Sequence, residues 1–379
     1  MLKKWSDVLT IVSGKNQKLV TDPNGRYPIY GSGGVMGYAR SYLCEAGTTI
    51  VGRKGTINNP IFVNEPFWNV DTAFGISPGD ELHPKYLYYF CCSFNFKELD
   101  KSTTIPSLAK RDLLQIQMPV PPLNEQERIV SKIEELFSKL DASVAELQTA
   151  KEKLKVYRQA VLKEAFDPVS KESIFLKDII EKPRYGTSKK CSYAYKKGSK
   201  AVYRIPNICY QNGSIDHKDI KYADFSEDEL KNLDLMENDL LIIRSNGSVS
   251  LVGRSSIVRA EDCEATFAGY LIRLRLKKPS DVLSKFLHYF LESHTARTYI
   301  EHVAKSTSGV NNINSNEIGN LPVPKCDDFN TQAQVVEKIE TNLSICDSIE
   351  QTIDTSLRQA EALRQSILKQ AFEGKLKND

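Results

Sequence analysis

The side chains best placed to do chemistry in this 379-residue chain are basic and amide groups gathered in short loops rich in glycine and hydroxyl residues. The first half offers Arg53, Lys54, Lys101, Thr103, Lys110 and Arg111, in Gly52-Arg53-Lys54-Gly55-Thr56, Lys101-Ser102-Thr103-Thr104 and Lys110-Arg111. The second half offers Lys189, Lys190, Arg204, Asn207, Arg244, Asn246, Arg254, Lys305, Asn311 and Asn312. They fall in Lys189-Lys190, Tyr203-Arg204-Ile205-Pro206-Asn207, Arg244-Ser245-Asn246-Gly247-Ser248, Arg254, and the stretch from Lys305 to Asn312. Arginine and lysine match the acceptors on a guanine edge, and asparagine matches the donor and acceptor of adenine. Glycine amides and Ser or Thr hydroxyls suit phosphate oxygens. Any one such loop reads first as an ordinary surface turn, and recurrence in both halves adds only moderate weight to a nucleic-acid reading.

Other chemistries lack their residues. Tyr30-Gly31-Ser32-Gly33-Gly34 resembles a phosphate cradle, but no helical pattern follows it, and Gly52-Arg53-Lys54-Gly55 has the wrong spacing for a P-loop. Both are expected to be turns that need positive φ. The histidines 83, 217, 288, 294 and 302 show no metal-ligand spacing, and no Gly-x-Ser-x-Gly elbow occurs. The eight cysteines form no Cys-x-x-Cys pair and read as reduced, mostly buried thiols of a cytoplasmic protein. The first residues lack the apolar run of a signal peptide, and no apolar stretch is long enough to span a membrane. The net charge of +3 conceals a division: residues 1–124 carry 13 basic and 10 acidic side chains and 167–330 carry 24 and 22, while 125–166 and 331–372 carry 8 and 8, then 4 and 6. The surplus lies in the blocks with the loops, which permits nucleic-acid binding without requiring it.

The elements that must position these loops come in duplicate. Residues 125–166 realign without a gap on 331–372 at an offset of 206, with 14 of 42 positions identical, too many for a chance match. The lead-ins Met118-Pro119-Val120-Pro121 and Leu321-Pro322-Val323-Pro324 also match. The blocks open alike, at Trp5-Ser6-Asp7-Val8 and Leu176-Lys177-Asp178-Ile179, and close alike, at Lys101-Ser102-Thr103 and Lys305-Ser306-Thr307. Their middles do not resemble each other, so the frame reads as duplicated and the contents as different.

Both repeats read as helices, about 124–166 and 331–373, the first stopped by Pro168 and the second by Gly374. Apolar residues recur every seventh position, at Ile133, Leu140, Leu147, Leu154 and Val161, then at Ile339, Cys346, Ile353, Ala360 and Ile367. Leu136, Ala150, Tyr157, Ile349 and Leu363 are read as the intervening row. The pattern fits two helices that pair antiparallel, because a long block returns the chain between them. The expected domains are 1–122, a first recognition block; 123–168, a central spacer helix; 169–325, a second block; and 326–379, a C-terminal spacer helix.

These features together resemble the specificity subunit of type I restriction–modification systems, over essentially the whole chain. The resemblance is carried by Pro119-Val120-Pro121-Pro122-Leu123-Asn124-Glu125-Gln126 leading into the first helix, by Arg158-Gln159-Ala160-Val161-Leu162-Lys163-Glu164-Ala165-Phe166 closing it, and by Ile367-Leu368-Lys369-Gln370-Ala371-Phe372-Glu373-Gly374 closing the second. Tyr30 to Gly34 with Gly52 to Gly55 and Phe67-Trp68 to Phe74 looks like one target-recognition domain of that family; Arg204 to Ile208 with Arg244 to Gly253 looks like another. The second helix departs from the pattern, with Lys325-Cys326-Asp327-Asp328-Phe329 in place of Pro-Leu-Asn-Glu-Gln.

The resemblance implies an α+β fold, in which two α/β target-recognition domains are separated by two long, pseudo-symmetric antiparallel coiled-coil helices. It implies that each domain reads half of a bipartite site in double-stranded DNA. The helices would hold two methyltransferase subunits that methylate adenine N6, together with two restriction subunits where the system restricts. The chain itself would bind no cofactor: S-adenosylmethionine belongs to the methyltransferase, and ATP and Mg to the restriction subunit. No Asn-Pro-Pro-Tyr/Phe motif is present, so the chain reads as a non-catalytic subunit. Two other readings compete, a coiled-coil scaffold without DNA readout and a self-contained DNA-modifying enzyme. Methyl transfer by the isolated chain would favour the second.

Overall fold

A computed structural model describes residues 1–170, 172–304 and 309–376. The first block runs β1 (Leu2–Lys4), α1 (Trp5–Val8), β2 (Leu9–Ser13), β3 (Tyr27–Gly31), β4 (Gly34–Ala39), β5 (Thr48–Gly52), β6 (Ile61–Val63), β7 (Trp68–Asn69), β8 (Ala73–Pro78), α2 (Pro84–Ser93), α3 (Lys110–Leu113) and β9 (Gln117–Pro119). The long helix α4 (Leu123–Phe166) follows. The second block opens with β10 (Ser173–Phe175), α5 (Leu176–Ile179), β11 (Arg184–Tyr185), β12 (Lys200–Tyr203), β13 (Ile208–Cys209), β14 (Ser214–Ile215), β15 (Lys221–Ala223) and α6 (Glu227–Leu230). It continues with β16 (Leu240–Ile243), β17 (Ser245–Asn246), β18 (Ser255–Ile257), β19 (Thr266–Phe267), β20 (Leu271–Leu274), α7 (Asp281–Glu292), α8 (His294–Val303), β21 (Asn311–Asn312), α9 (Ser315–Gly319) and β22 (Pro322–Pro324), and ends in the long helix α10 (Phe329–Phe372).

The chain divides into two compact units, Met1–Thr149 with Ile353–Asp379, and Ala150–Thr352. Each owns one block and one half of each long helix. Within each, the helix halves run antiparallel: Arg364 pairs with Asp141 in the first unit, and in the second Arg158 pairs with Asp347 at 2.7 Å and Glu350 at 3.0 Å. The α+β fold and antiparallel helices expected from the sequence are those observed.

The middles of the blocks prove to be alike as well, against the reading of the sequence. The first unit holds a four-stranded sheet in the order β2-β8-β5-β6 and a three-stranded sheet β4-β3-β7; the second holds β11-β20-β16-β18 and β15-β12-β19. Strand senses also correspond. The four-stranded sheets are antiparallel, and the parallel pair of each three-stranded sheet is β3 with β7 and β12 with β19. The likeness is invisible in sequence because what these strands share is burial. β5 and β16 are covered on both faces, so Thr48-Thr49-Ile50-Val51 and Leu240-Leu241-Ile242-Ile243 need only be apolar or small.

The lead-in motifs need a shift of two residues. β1 pairs Leu2 with Pro119, whereas β10 pairs Ser173 with Pro324, so Pro119 corresponds to Pro324 and not to Pro322. A Pro-x-Pro run slides by two without changing which face is buried, and Met118 and Val323 both point inward.

Each block grips its helices in the same way. Phe372 of α10 packs on Tyr86 and Phe90 of α2, at 5.1 and 5.3 Å between ring centroids. Phe166 of α4 packs on Phe286 and Phe290 of α7, at 5.2 and 5.5 Å. Beside them Lys85 reaches Glu134 at 2.6 Å and Lys285 reaches Glu340 at 3.0 Å. The Tyr89 and Tyr289 hydroxyls donate to the same two carboxylates.

The helix seam is half as expected. Ile133, Ile339, Cys346, Ile353 and Ile367 are buried, and Leu140, Leu147 and Leu154 are half-buried. The second row, however, lies one residue further on, through Phe137, Val144, Arg158 and Ala165 in α4 and Leu343, Glu350, Arg364 and Ala371 in α10. Leu363, expected in the seam, is 51% exposed, and Tyr157 and Ile349 also face out. The reason is that arginine stems fill seam positions while their heads find partners: the Arg364 guanidinium lies 4.4 Å over the Phe137 ring.

All eight cysteines are unpaired thiols. His288, on the buried face of α7, carries a pH consequence. Burial, aided by Arg259 and Arg254, lowers its pKa to about 4. The folded protein therefore holds it neutral, while the unfolded chain takes up a proton below about pH 6.5. Stability is expected to fall as pH drops from about 6.5 toward 4, by on the order of 3 kcal/mol, and to lose nothing more to this group below that. His288→Asn should flatten this part of the profile in urea melts taken across pH; an unchanged profile would assign the acid sensitivity elsewhere.

Candidate nucleic-acid interface

In the first unit the fold gathers loops that are far apart in sequence. Gly52 ends β5, and a Cβ there would stand 2.0 Å from the Thr56 carbonyl oxygen, so only glycine lets Arg53 to Thr56 fold back so tightly. The Arg53 and Lys54 amides donate to the Thr72 carbonyl at 2.8 and 3.2 Å, which gives the Phe67 to Phe74 motif its use. The other side of the loop is tied to the 106–108 segment: Leu108 N–H donates to the Arg53 carbonyl at 2.9 Å, and Gly55 N–H to that of Pro106 at 2.9 Å.

The result is an open cleft of about 650 Å³ lined by Arg53, Lys101, Lys110 and Arg111, with Ser13, Ser102 and Ser107 among its walls. Asp112 is the one acid lining it; it pairs with Lys101 at 3.0 Å and Arg111 at 3.5 Å, and the Lys101 hydrogen bond holds its carboxyl below the usual range. Lys110 donates to the Ile11 carbonyl at 2.7 Å. Arg53 makes one long contact, 3.4 Å to the Asp71 carbonyl, and lies against the Phe74 ring. Lys54 is exposed at the rim and bridges Ser107 through its backbone; Thr103 is exposed and does not line the cleft.

Arg244 holds the same seat in the second unit. It follows β16 as Arg53 follows β5. Its N–H donates to the Tyr270 carbonyl at 2.9 Å, and its carbonyl accepts from Ile313 N–H at 2.9 Å. The two arginines are therefore equivalent, although no residue pattern around them aligns. The Arg244 guanidinium stacks 4.5 Å over the Tyr185 ring, and its buried Nε has no partner. Asn246, Asn311 and Asn312 come together beside it, because β17 pairs with β21. The Asn311 amide donates to the Gly247 carbonyl at 3.0 Å and the Asn246 side chain accepts from Ser248 N–H at 2.8 Å, so the ladder is held from both strands.

Four expected contacts do not belong to this surface. Asn207 is fully buried: its amide donates to the Asp216 and Asp219 carbonyls and its oxygen accepts from Arg204 N–H, so no edge is left for a base. Arg204 is drawn inward to Asp219 at 3.0 Å. Arg254 pairs with Glu292 of α7 under the Tyr210 ring, and its burial lowers its pKa to about 10. Lys189 is held by Glu229 at 2.7 Å and the Phe225 ring. Lys190 is exposed, and Lys305 lies outside the described residues. Sequence reading missed Arg297, buried and donating to the Val252 carbonyl at 2.6 Å, which anchors the loop behind Arg244.

Among the described residues no group of His, Cys, Asp or Glu could hold a metal ion, and no helix is long and apolar enough to cross a membrane. The model of the type I restriction modification DNA specificity domain matches residues 1–152 and again 168–359. The chain belongs to that family. Among its relatives are the EcoKI specificity subunit of Escherichia coli (strain K12), 31% identical over 69% of this chain and 58% of that protein, and the StySPI specificity subunit of Salmonella potsdam, 26% identical over 86% and 73%. The chain thus spans less than two thirds of the EcoKI subunit. In fold it is similar to a chain from a structure described as the basis of complex assembly and conformational transition of the type I R-M system (TM-score 0.76, 17% identity, 99% and 98% of the chains covered). It is also similar to the HsdS subunit from Thermoanaerobacter tengcongensis (TM-score 0.56, 16% identity, 99% and 97% covered).

Proposed function

We propose that this chain is the DNA-recognition subunit of a type I restriction–modification complex, each block reading half of a bipartite duplex site. One observation carries the reading: Arg53 and Arg244 occupy one seat in two domains whose surrounding loops differ. A shared seat with different neighbours is what two readers of one type but different sequence preference require. The basic cleft around Arg53 supplies phosphate contacts, and the asparagine ladder beside Arg244 supplies amides for a base edge.

The long helices carry the enzyme in this reading. Tyr157 and Leu363 stand at equivalent repeat positions, 49% and 51% exposed, and offer two copies of one partner the same apolar foothold. Those partners are two adenine-N6 methyltransferase subunits bringing S-adenosylmethionine, with two ATP- and Mg-dependent restriction subunits where restriction accompanies modification. The setting is the cytoplasm. Methylating adenine requires the base to be flipped into the partner's pocket, and this chain selects where.

Mapping methylated adenines in the host genome, with and without this chain, tests the proposal. Loss of methylation at one bipartite motif is expected. Methylation unchanged by its removal, or methyl transfer by the purified chain alone, would overturn it.

A further inference from the structure

The geometry points to a phosphate-gripping arm in the second unit alone: residues 186–200 hold the duplex backbone beside the half-site read by Arg244. This rests on the DNA-recognition reading and adds a surface to it. The arm leaves β11 directly after Tyr185, the residue whose ring carries the Arg244 guanidinium. It is therefore continuous with the proposed base-reading seat.

Its composition is one-sided. Lys189, Lys190, Lys196, Lys197 and Lys200 fall in this stretch, with no aspartate or glutamate. Lys189 is spent on Glu229. Lys190, Lys196 and Lys197 are exposed and reach no carboxylate among the described residues. A run of this kind is often only solvated, but here it is held in place. Ser192 and Tyr222 exchange both backbone hydrogen bonds, at 3.0 and 2.7 Å, which pins the arm along β15, the edge strand of its sheet.

Two tyrosines interleave the lysines and both are 64% exposed. Tyr195 stands edge-on to Tyr222 at 5.3 Å, and the Lys221 ammonium covers the Tyr193 ring at 4.6 Å. The Tyr193 hydroxyl is taken by the Asp219 carboxylate, so that ring braces the arm, while Tyr195 stays exposed with a hydroxyl of the kind that phosphate oxygens accept. The matching loop of the first unit, residues 14–26 between β2 and β3, carries Lys15, Lys18 and Arg26 with Asp22 and no aromatic residue. The arm therefore makes the two half-sites unequal: the second has a lysine- and tyrosine-bearing backbone grip beside its seat that the matching loop of the first lacks.

The test uses the full chain assembled with its methyltransferase. Two duplexes serve as probes, one carrying the methylation site mapped in the host genome and one lacking it. Lys190→Ala, Lys196→Ala and Lys197→Ala are combined, and affinity is measured across a salt series. Each lost phosphate contact removes about 0.9 from the slope of log affinity against log salt, so a decrease of about 2 to 3 is expected on both duplexes. The preference for the specific duplex stays as it was, and the same three positions changed to arginine restore the slope. A wild-type slope in the alanine variant, with specific binding intact, would overturn the arm alone. Loss of preference for the specific duplex would make these lysines base readers and overturn it too. A wild-type complex that binds neither duplex would overturn the recognition reading itself.

Discussion

Aspartate at Ile133 or at Ile339 is expected to cost several kcal/mol and to prevent its unit from folding at ordinary temperature. Both residues are fully buried, at positions related by the 206-residue repeat. Ile133 packs among Phe137, Ile367, Leu368 and Ala371, where a carboxylate would have neither water nor a partner. Leu363→Asp should behave oppositely. The heptad count read from sequence puts Leu363 in the seam, but the fold leaves it half exposed, so its cost in a denaturant melt should stay within about 0.5 kcal/mol. The same change places a charge on the proposed methyltransferase foothold. It should therefore loosen one enzyme subunit, visible as a shifted stoichiometry, while the chain stays folded. If Leu363→Asp were as damaging in the melt as Ile133→Asp, the seam would follow the sequence frame and the observed burial would be wrong.

What could be read from the sequence was whatever a periodic apolar pattern or a long repeat encodes. Both long helices began and ended within two residues of expectation, because proline and glycine mark their ends and 42 aligned positions fix their register. The second seam row escaped because it holds Arg158, Glu350 and Arg364, which a count of apolar residues discards. One signal was present and unread. Lys85-Tyr86-Leu87-Tyr88-Tyr89-Phe90 and Lys285-Phe286-Leu287-His288-Tyr289-Phe290 match at an offset of 200, and these are the residues that clasp the long helices. The shared sheet order left no such trace, since buried strands need only be apolar.

The candidate interface divides in the same way. Arg53, Lys101, Lys110 and Arg111 converge from two loops and the short helix α3, as their composition suggested. Composition could not separate Arg244 from Arg254, ten residues along the same segment. Only the fold turns one onto the Tyr185 ring and the other into an ion pair with Glu292. Asn207 was misread for a related reason: an amide that can recognise adenine can equally close a turn of its own chain.

The equivalence of Arg53 and Arg244 leads to the sharpest expectation for recognition. Each sits at the end of a fully buried strand, fixed through its own N–H and carbonyl, so replacing the side chain should leave the loop in place. Arg53→Ala is expected to relax discrimination at one position of one half-site, and Arg244→Ala at the corresponding position of the other. A bidentate arginine–guanine contact is worth about 1–3 kcal/mol of discrimination, or roughly ten- to a hundredfold between matched and mismatched duplexes. The double variant should show both losses independently, because the two residues lie in different units and share no partner. Methylation mapping in cells carrying each variant reads this directly, as a motif degenerate at one position with its other half intact. Equal weakening on every sequence, with a shallower salt dependence, would instead make these arginines phosphate contacts. Sequence preference would then have to come from the asparagine ladder at Asn246 and Asn311 in the second unit and from Lys101, Lys110 and Arg111 in the first.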